Sequence, residues 1–113
     1  MIKQRKNLRR FVKGVVGLAI TIAAACGPVT AETHIVSIQG LEFVPATLDA
    51  QVGDTVVWVN EDVLVHTATA DNGAWDSGTM QAGDEWSVVL EASGIVDYTC
   101  IFHPTMVGTI NIE

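Results

Sequence analysis

The chain has 113 residues, the size of one domain, with 6 Lys and Arg against 13 Asp and Glu for a formal net charge of −7. All six basic residues (Lys3, Arg5, Lys6, Arg9, Arg10, Lys13) precede residue 14 and all the acids lie from Glu32 onward, so residues 32–113 carry −13 with no Lys or Arg. That excludes nucleic acid as a partner of this part, because no cation can neutralise phosphates, and disfavours an anionic membrane surface; two Cys exclude a multi-disulfide scaffold.

The basic start runs into an apolar stretch, Val15 to Ala25, of 11 residues. A membrane-spanning helix needs about 20. The stretch has instead the length of the apolar segment of a secretory signal, and Val29-Thr30-Ala31 offers the small residues of a cleavage site. Residues 1–31 are therefore expected to be a signal peptide and residues 32–113 the mature domain. Two further patterns lie in this region. Arg9-Arg10 is a weak match to a twin-arginine signal, and Ala23-Ala24-Ala25-Cys26-Gly27 resembles a lipoprotein processing site that would put a lipid anchor on Cys26. Each implies export to the periplasm or beyond, without stable membrane insertion. After cleavage at Ala31 a single Cys remains, Cys100.

Short alternating apolar runs bounded by Gly, Asp, Asn and Pro follow, and no segment shows a helical stripe. Strands are expected at His34–Ile38, around Phe43–Pro45, at Ala46–Ala50 and, after the Gly53-Asp54 turn, at Thr55–Asn60. Val65–Ala70 reads as the next strand and residues 71–83 mostly as loop. Glu85–Leu90 places Trp86, Val88 and Leu90 on one face, and Ile95–Cys100 does the same for Val96, Tyr98 and Cys100. Met106–Glu113 closes the chain. About eight short strands imply an all-β protein, an antiparallel Greek-key β-sandwich. Trp58 and Trp86 are expected in its core.

Tyr98-Thr-Cys100-Ile-Phe-His103-Pro-Thr-Met106 carries the chemistry. Cys100 ends a strand on its inward face, His103 and Met106 follow at intervals of three, and His66 starts another strand. A sandwich can gather such positions at one pole. Singly, each has a plainer role: a buried thiol, a core His, a surface His, a core Met. Together they form one soft thiolate, two imidazoles and a weak thioether, the donor set of a blue-copper electron-transfer site. A Cys–His nucleophile would need an orienting third group and a substrate cleft, for which 82 residues leave little room, and structural zinc sites need more Cys or His.

The segment Asp97-Tyr-Thr-Cys-Ile-Phe-His-Pro-Thr-Met-Val-Gly-Thr-Ile-Asn-Ile-Glu113 resembles the C-terminal copper loop of the cupredoxins, with Cys-x-x-His-x-x-Met spacing similar to the amicyanin branch. Val52-Gly-Asp-Thr-Val-Val-Trp-Val-Asn60 and Val65-His66-Thr67 extend the resemblance upstream. The resemblance implies a cupredoxin domain over residues 32–113, with His66, Cys100, His103 and Met106 as ligands of one type 1 copper. Thr67 stands where several members have Asn, which ties their two ligand loops together.

The function expected is that of a monomeric, exported one-electron carrier with no substrate to turn over. Its partners would be redox proteins with a basic docking surface. The alternative is a copper-binding protein for delivery or resistance. Met80 is expected to pack or lie in a surface loop rather than ligate, Phe102 to shield the site or pack beneath it, and Pro104 and Thr105 to border a docking face. His34, third after the expected cut, would complete a square-planar Cu(II) or Ni(II) site at a free N-terminus, unless it simply begins the first strand.

Overall fold

A computed structural model describes residues 30–113. Residues 1–29, with the expected signal sequence and Cys26, lie outside the described part.

Eight strands form the domain: β1 Thr33–Gln39, β2 Glu42–Val44, β3 Thr47–Ala50, β4 Thr55–Asn60, β5 Thr69–Ala70, β6 Glu85–Val89, β7 Gly94–Cys100 and β8 His103–Ile112. They make two four-stranded sheets, ordered β2-β1-β4-β6 and β3-β8-β7-β5. The sandwich is the one expected. Its sheets are mixed rather than wholly antiparallel: β1 pairs parallel with β4 and β3 with β8. Alternation of apolar residues fixes which face is buried but is blind to the direction of the neighbouring strand.

Side-chain alternation fills the space between the sheets. Val36, Ile38, Phe43, Val56 and Trp58 enter from one sheet, and Ala50, Tyr98, Cys100, Met106, Ile110 and Ile112 from the other. Aromatic rings join the two layers. Trp58 meets Tyr98 edge-on at 5.4 Å, and Tyr98 lies 4.6 Å from Phe43 between ring centroids. Tyr98 crosses Gly108 of the neighbouring strand, where any Cβ would overlap its ring. Burial pushes the Tyr98 phenol up to about 12.

Trp86 is only half-buried, whereas Trp75 in the loop is buried. β6 is an edge strand, so one flank of Trp86 stays open. The loop after β5 folds back through a bond from the Ala70 amide to the Trp75 carbonyl, and this carries Trp75 to within 5.8 Å of Trp58.

Two further segments differ from expectation. Only Thr69–Ala70 of residues 65–70 is strand. Upstream, His66 makes an isolated bridge to Met80, and the amides of Thr67 and Ala68 bond to Cys100 Sγ and Ser77 Oγ instead of a ladder. At the other side β8 begins at His103, earlier than expected. Cys100 pairs with His103 across a two-residue connection, with a bulge at Thr99/Cys100, so His103 and Met106 stand on a strand rather than in a loop.

Candidate metal centre

Three donors, from His66, Cys100 and His103, converge at one end of the sandwich. His66 and Cys100 are fully buried, Met106 is buried on β8, and His103 is half-buried. Cys100 Sγ lies 3.7 Å from His66 Nδ1 and 3.7 Å from His103 Nδ1. The donor atoms of the three residues all lie within 4.8 Å of one another. A metal at about 2.05 Å from nitrogen and about 2.3 Å from sulfur would see each such pair at an angle of roughly 115°. That is close to trigonal, the His₂Cys arrangement of blue copper, so the residues fit the ion.

The tight turn Ile101-Phe102 sets this geometry. It reverses the chain between Cys100 and His103 so that both side chains reach the same space. The bridge between His66 and Met80, with amide–carbonyl bonds of 3.1 and 2.8 Å in the two directions, fixes the third donor. Of the two places expected for Met80, packing and a surface loop, the structure shows the first: it is buried and bridges His66. Phe102 is 46% exposed, so it borders the site at the surface rather than packing beneath it.

Thr67 joins the His66 and Cys100 segments. Its amide donates to Cys100 Sγ at 3.4 Å, and its hydroxyl oxygen accepts the Ile101 amide at 3.0 Å. The hydroxyl also bonds Thr69 Oγ1 at 3.0 Å. Threonine thus makes the cross-loop tie expected of Asn, and one hydrogen bond reaches the thiolate.

Sequence reasoning missed Asp62 and Asn60. With Nδ1 of His66 turned toward Cys100, its Nε2 donates to Asp62 Oδ2 at 2.8 Å. The same carboxylate accepts the amides of Gly40 at 2.7 Å and Leu41 at 3.1 Å. Both residues have positive φ, 61° and 60°, in the β1–β2 turn, a conformation unfavourable for Leu. Burial raises the Asp62 pKa, but the bonds from Leu41, Gly40 and His66 outweigh it and leave it below the usual carboxylate value. Asn60, buried at the end of β4, donates to the carbonyls of Leu64 and Met80 and accepts the Asp62 amide. It locks the segment between β4 and His66. The one sequence signal was a polar residue at an inward position of an otherwise apolar strand.

Around the donors the chain exposes an apolar border. Val63 is 91% exposed and Ile101 57%, and Leu64, Val65 and Phe102 are also exposed.

The sequence matches the model of the copper-binding proteins of the plastocyanin/azurin family over residues 29–113. The chain belongs to that family. It is 27% identical to amicyanin of Paracoccus versutus over 94 residues, covering 79% of this chain and 71% of the relative. Against chloroplastic plastocyanin of Chlamydomonas reinhardtii the identity is 34% over 113 residues, covering 88% and 76%. In structure it resembles an amicyanin variant in the Cu(I) form, with TM-score 0.67, 26% identity and coverage of 72% of this chain and 82% of that one. A purple cupredoxin of Nitrosopumilus maritimus gives TM-score 0.65 at 28% identity, covering 71% and 99%. The protein is a cupredoxin with one type 1 copper centre.

Proposed function

We propose that His66, Cys100, His103 and Met106 hold the copper and that the protein carries single electrons between redox partners outside the cytoplasm. The observation that supports this best is the near-trigonal set of two imidazoles and one thiolate, with both 3.7 Å separations in place before any ion is considered. When bound there, copper supplies a one-electron couple between Cu(I) and Cu(II). The chain's own contribution is rigidity. Asn60, Asp62 and Thr67 hold the ligand segments, so the donors need little rearrangement between the two states. The thiolate is buried and kept from solvent. His103 is half-buried and directly follows the exposed Ile101 and Phe102, which offers a short route to a docked partner.

Residues 32–113 carry −13 with no Lys or Arg. That field favours encounter with a basic partner, while the apolar border around His103 forms the close contact. Export follows from the basic and apolar start, with cleavage after Ala31 or, in a second route, lipid attachment at Cys26.

The test is reversible reduction combined with stopped-flow transfer to a basic cytochrome. A carrier cycles without losing copper, and its rate falls as ionic strength rises from 0.01 to 0.15 M, where the Debye length shortens from about 30 to about 8 Å. A protein that holds only Cu(I), or releases copper on each cycle, is a delivery protein. A rate flat across that range removes basic partners from the account.

A further inference from the structure

Far from the copper centre, a second group of donors gathers at the start of β1. His34 Nε2 lies 2.8 Å from Asp54 Oδ2 and 3.9 Å from Glu32 Oε2. The donor atoms of all three fall within 4.8 Å of one another. Asp54 stands just before β4, and Asn60, which braces the His66 segment, ends it. Six residues at about 3.3 Å each put roughly 20 Å between the two ends.

We propose that Glu32, His34 and Asp54 form a second metal site, for a borderline divalent cation of the Zn(II) type.

The separations suit one ion. Two donors each about 2.1 Å from a metal lie roughly 3.0 Å apart when they subtend a right angle and about 3.9 Å apart near 137°. The observed 2.8 Å, a hydrogen bond in the absence of an ion, and 3.9 Å lie close to an open site of that kind, with positions left for water. One imidazole and two carboxylates are a mixed nitrogen–oxygen set, suited to Zn(II) and unlike the soft set at the other pole.

Asp54 is the fixed member. It is buried, and it accepts the Glu32 amide through Oδ1 and the Gln51 amide through Oδ2, each at 2.9 Å. Those bonds and the His34 contact hold its carboxyl down to about 2, so it is ionised at neutral pH. Glu32 is exposed and free to close on an ion. A cleft of about 550 Å³ opens over the group and is also lined by Asp49 and Glu113. Four acidic side chains thus face one cleft, and no Lys or Arg lies in residues 14–113; with cleavage after Ala31 the Glu32 nitrogen at Asp54 Oδ1 becomes the terminal amine and offsets part of this charge.

The square-planar alternative at the N-terminus does not match this backbone. It requires the peptide nitrogens next to His34 to bind the ion, yet Thr33 and His34 are paired in β1 with Thr55 and Val56. His34 begins the strand and acts through its ring alone.

Copper-loaded protein titrated with Zn(II) by calorimetry at 0.15 M salt tests the site. Copper outcompetes Zn(II) for the thiolate centre, so Zn(II) is expected to bind once per chain while the visible band stays unchanged. His34→Gln, which keeps the Asp54 bonds to Gln51 and Glu32, is expected to weaken Zn(II) binding at least a hundredfold, and Glu32→Gln about tenfold. In the Cu(I) protein the His34 ring protons should shift on adding Zn(II). No saturable binding, or binding undiminished in His34→Gln, overturns the proposal, as does loss of the visible band in step with Zn(II) uptake.

Discussion

The Asp62 carboxylate receives the Nε2–H of His66 at 2.8 Å and at the same time the amides of Gly40 and Leu41. One side chain therefore orients the buried imidazole of His66, a proposed copper ligand, and pins a turn with two positive φ angles. A carboxylate behind a ligating imidazole fixes its tautomer and makes it a better donor. Its negative charge also favours Cu(II) over Cu(I).

Asp62→Asn keeps an acceptor for His66 but removes the charge. The expected result is about tenfold weaker Cu(II) binding with Cu(I) binding little changed. That corresponds to a rise in reduction potential of about 59 mV for a one-electron couple. Voltammetry checks it. A potential that stays constant would mean the carboxylate serves only the turn.

Met106 is buried on β8, and its thioether is the proposed weak axial donor. Met106→Leu should retain copper and raise the potential, because losing a sulfur donor harms Cu(II) more than Cu(I). The rise should be on the order of the 59 mV that a tenfold selective loss produces. An unchanged potential would turn attention to Met80, which is also buried and bridges His66.

The local part of this site was legible before any coordinates. Cys100, His103 and Met106 lie within seven residues, and the strand–turn–strand around them is written in alternation. Asp62 was not legible, because its role depends on Gly40 and Leu41, more than twenty residues away in sequence. The parallel pairings of β1 with β4 and β3 with β8 were hidden for the same reason. Alternation also placed Trp86 in the core and was silent on Trp75. It cannot reveal that β6 is an edge strand or that a polar loop folds back over the core.

Gly108 is needed by packing. A Cβ there would overlap the Tyr98 ring, which cannot swing away because Phe43 and Trp58 flank it. Gly108→Ala should destabilise the fold by about 1–3 kcal/mol, the cost of overpacking a filled core. Urea unfolding reads this as a lower midpoint at unchanged slope. A midpoint equal to wild type would show that Tyr98 has room to move.

Asp54 contributes to acid sensitivity. Its pKa falls from 3.8 to about 2 on folding, through the Glu32 amide first, then His34 and Gln51. Folding thus favours the ionised form. The resulting stabilisation is fully present above about pH 4 and fades as pH falls toward 2. Asp54→Asn should be less stable than wild type at pH 6 and should lose less on acidification. Melting temperatures of the two proteins from pH 6 to pH 2 check this, with parallel curves as the contrary result.

The proposed centre is a Cys100 thiolate bound to copper beside two imidazoles. Its most direct test is the absorption spectrum of the Cu(II)-loaded protein compared with that of Cys100→Ser. The wild type should show intense visible absorption from charge transfer between the Cys100 thiolate and Cu(II), and the variant should be colourless while remaining folded. A wild-type protein that binds Cu(II) without colour, or a variant that keeps the band, would contradict the copper centre described above.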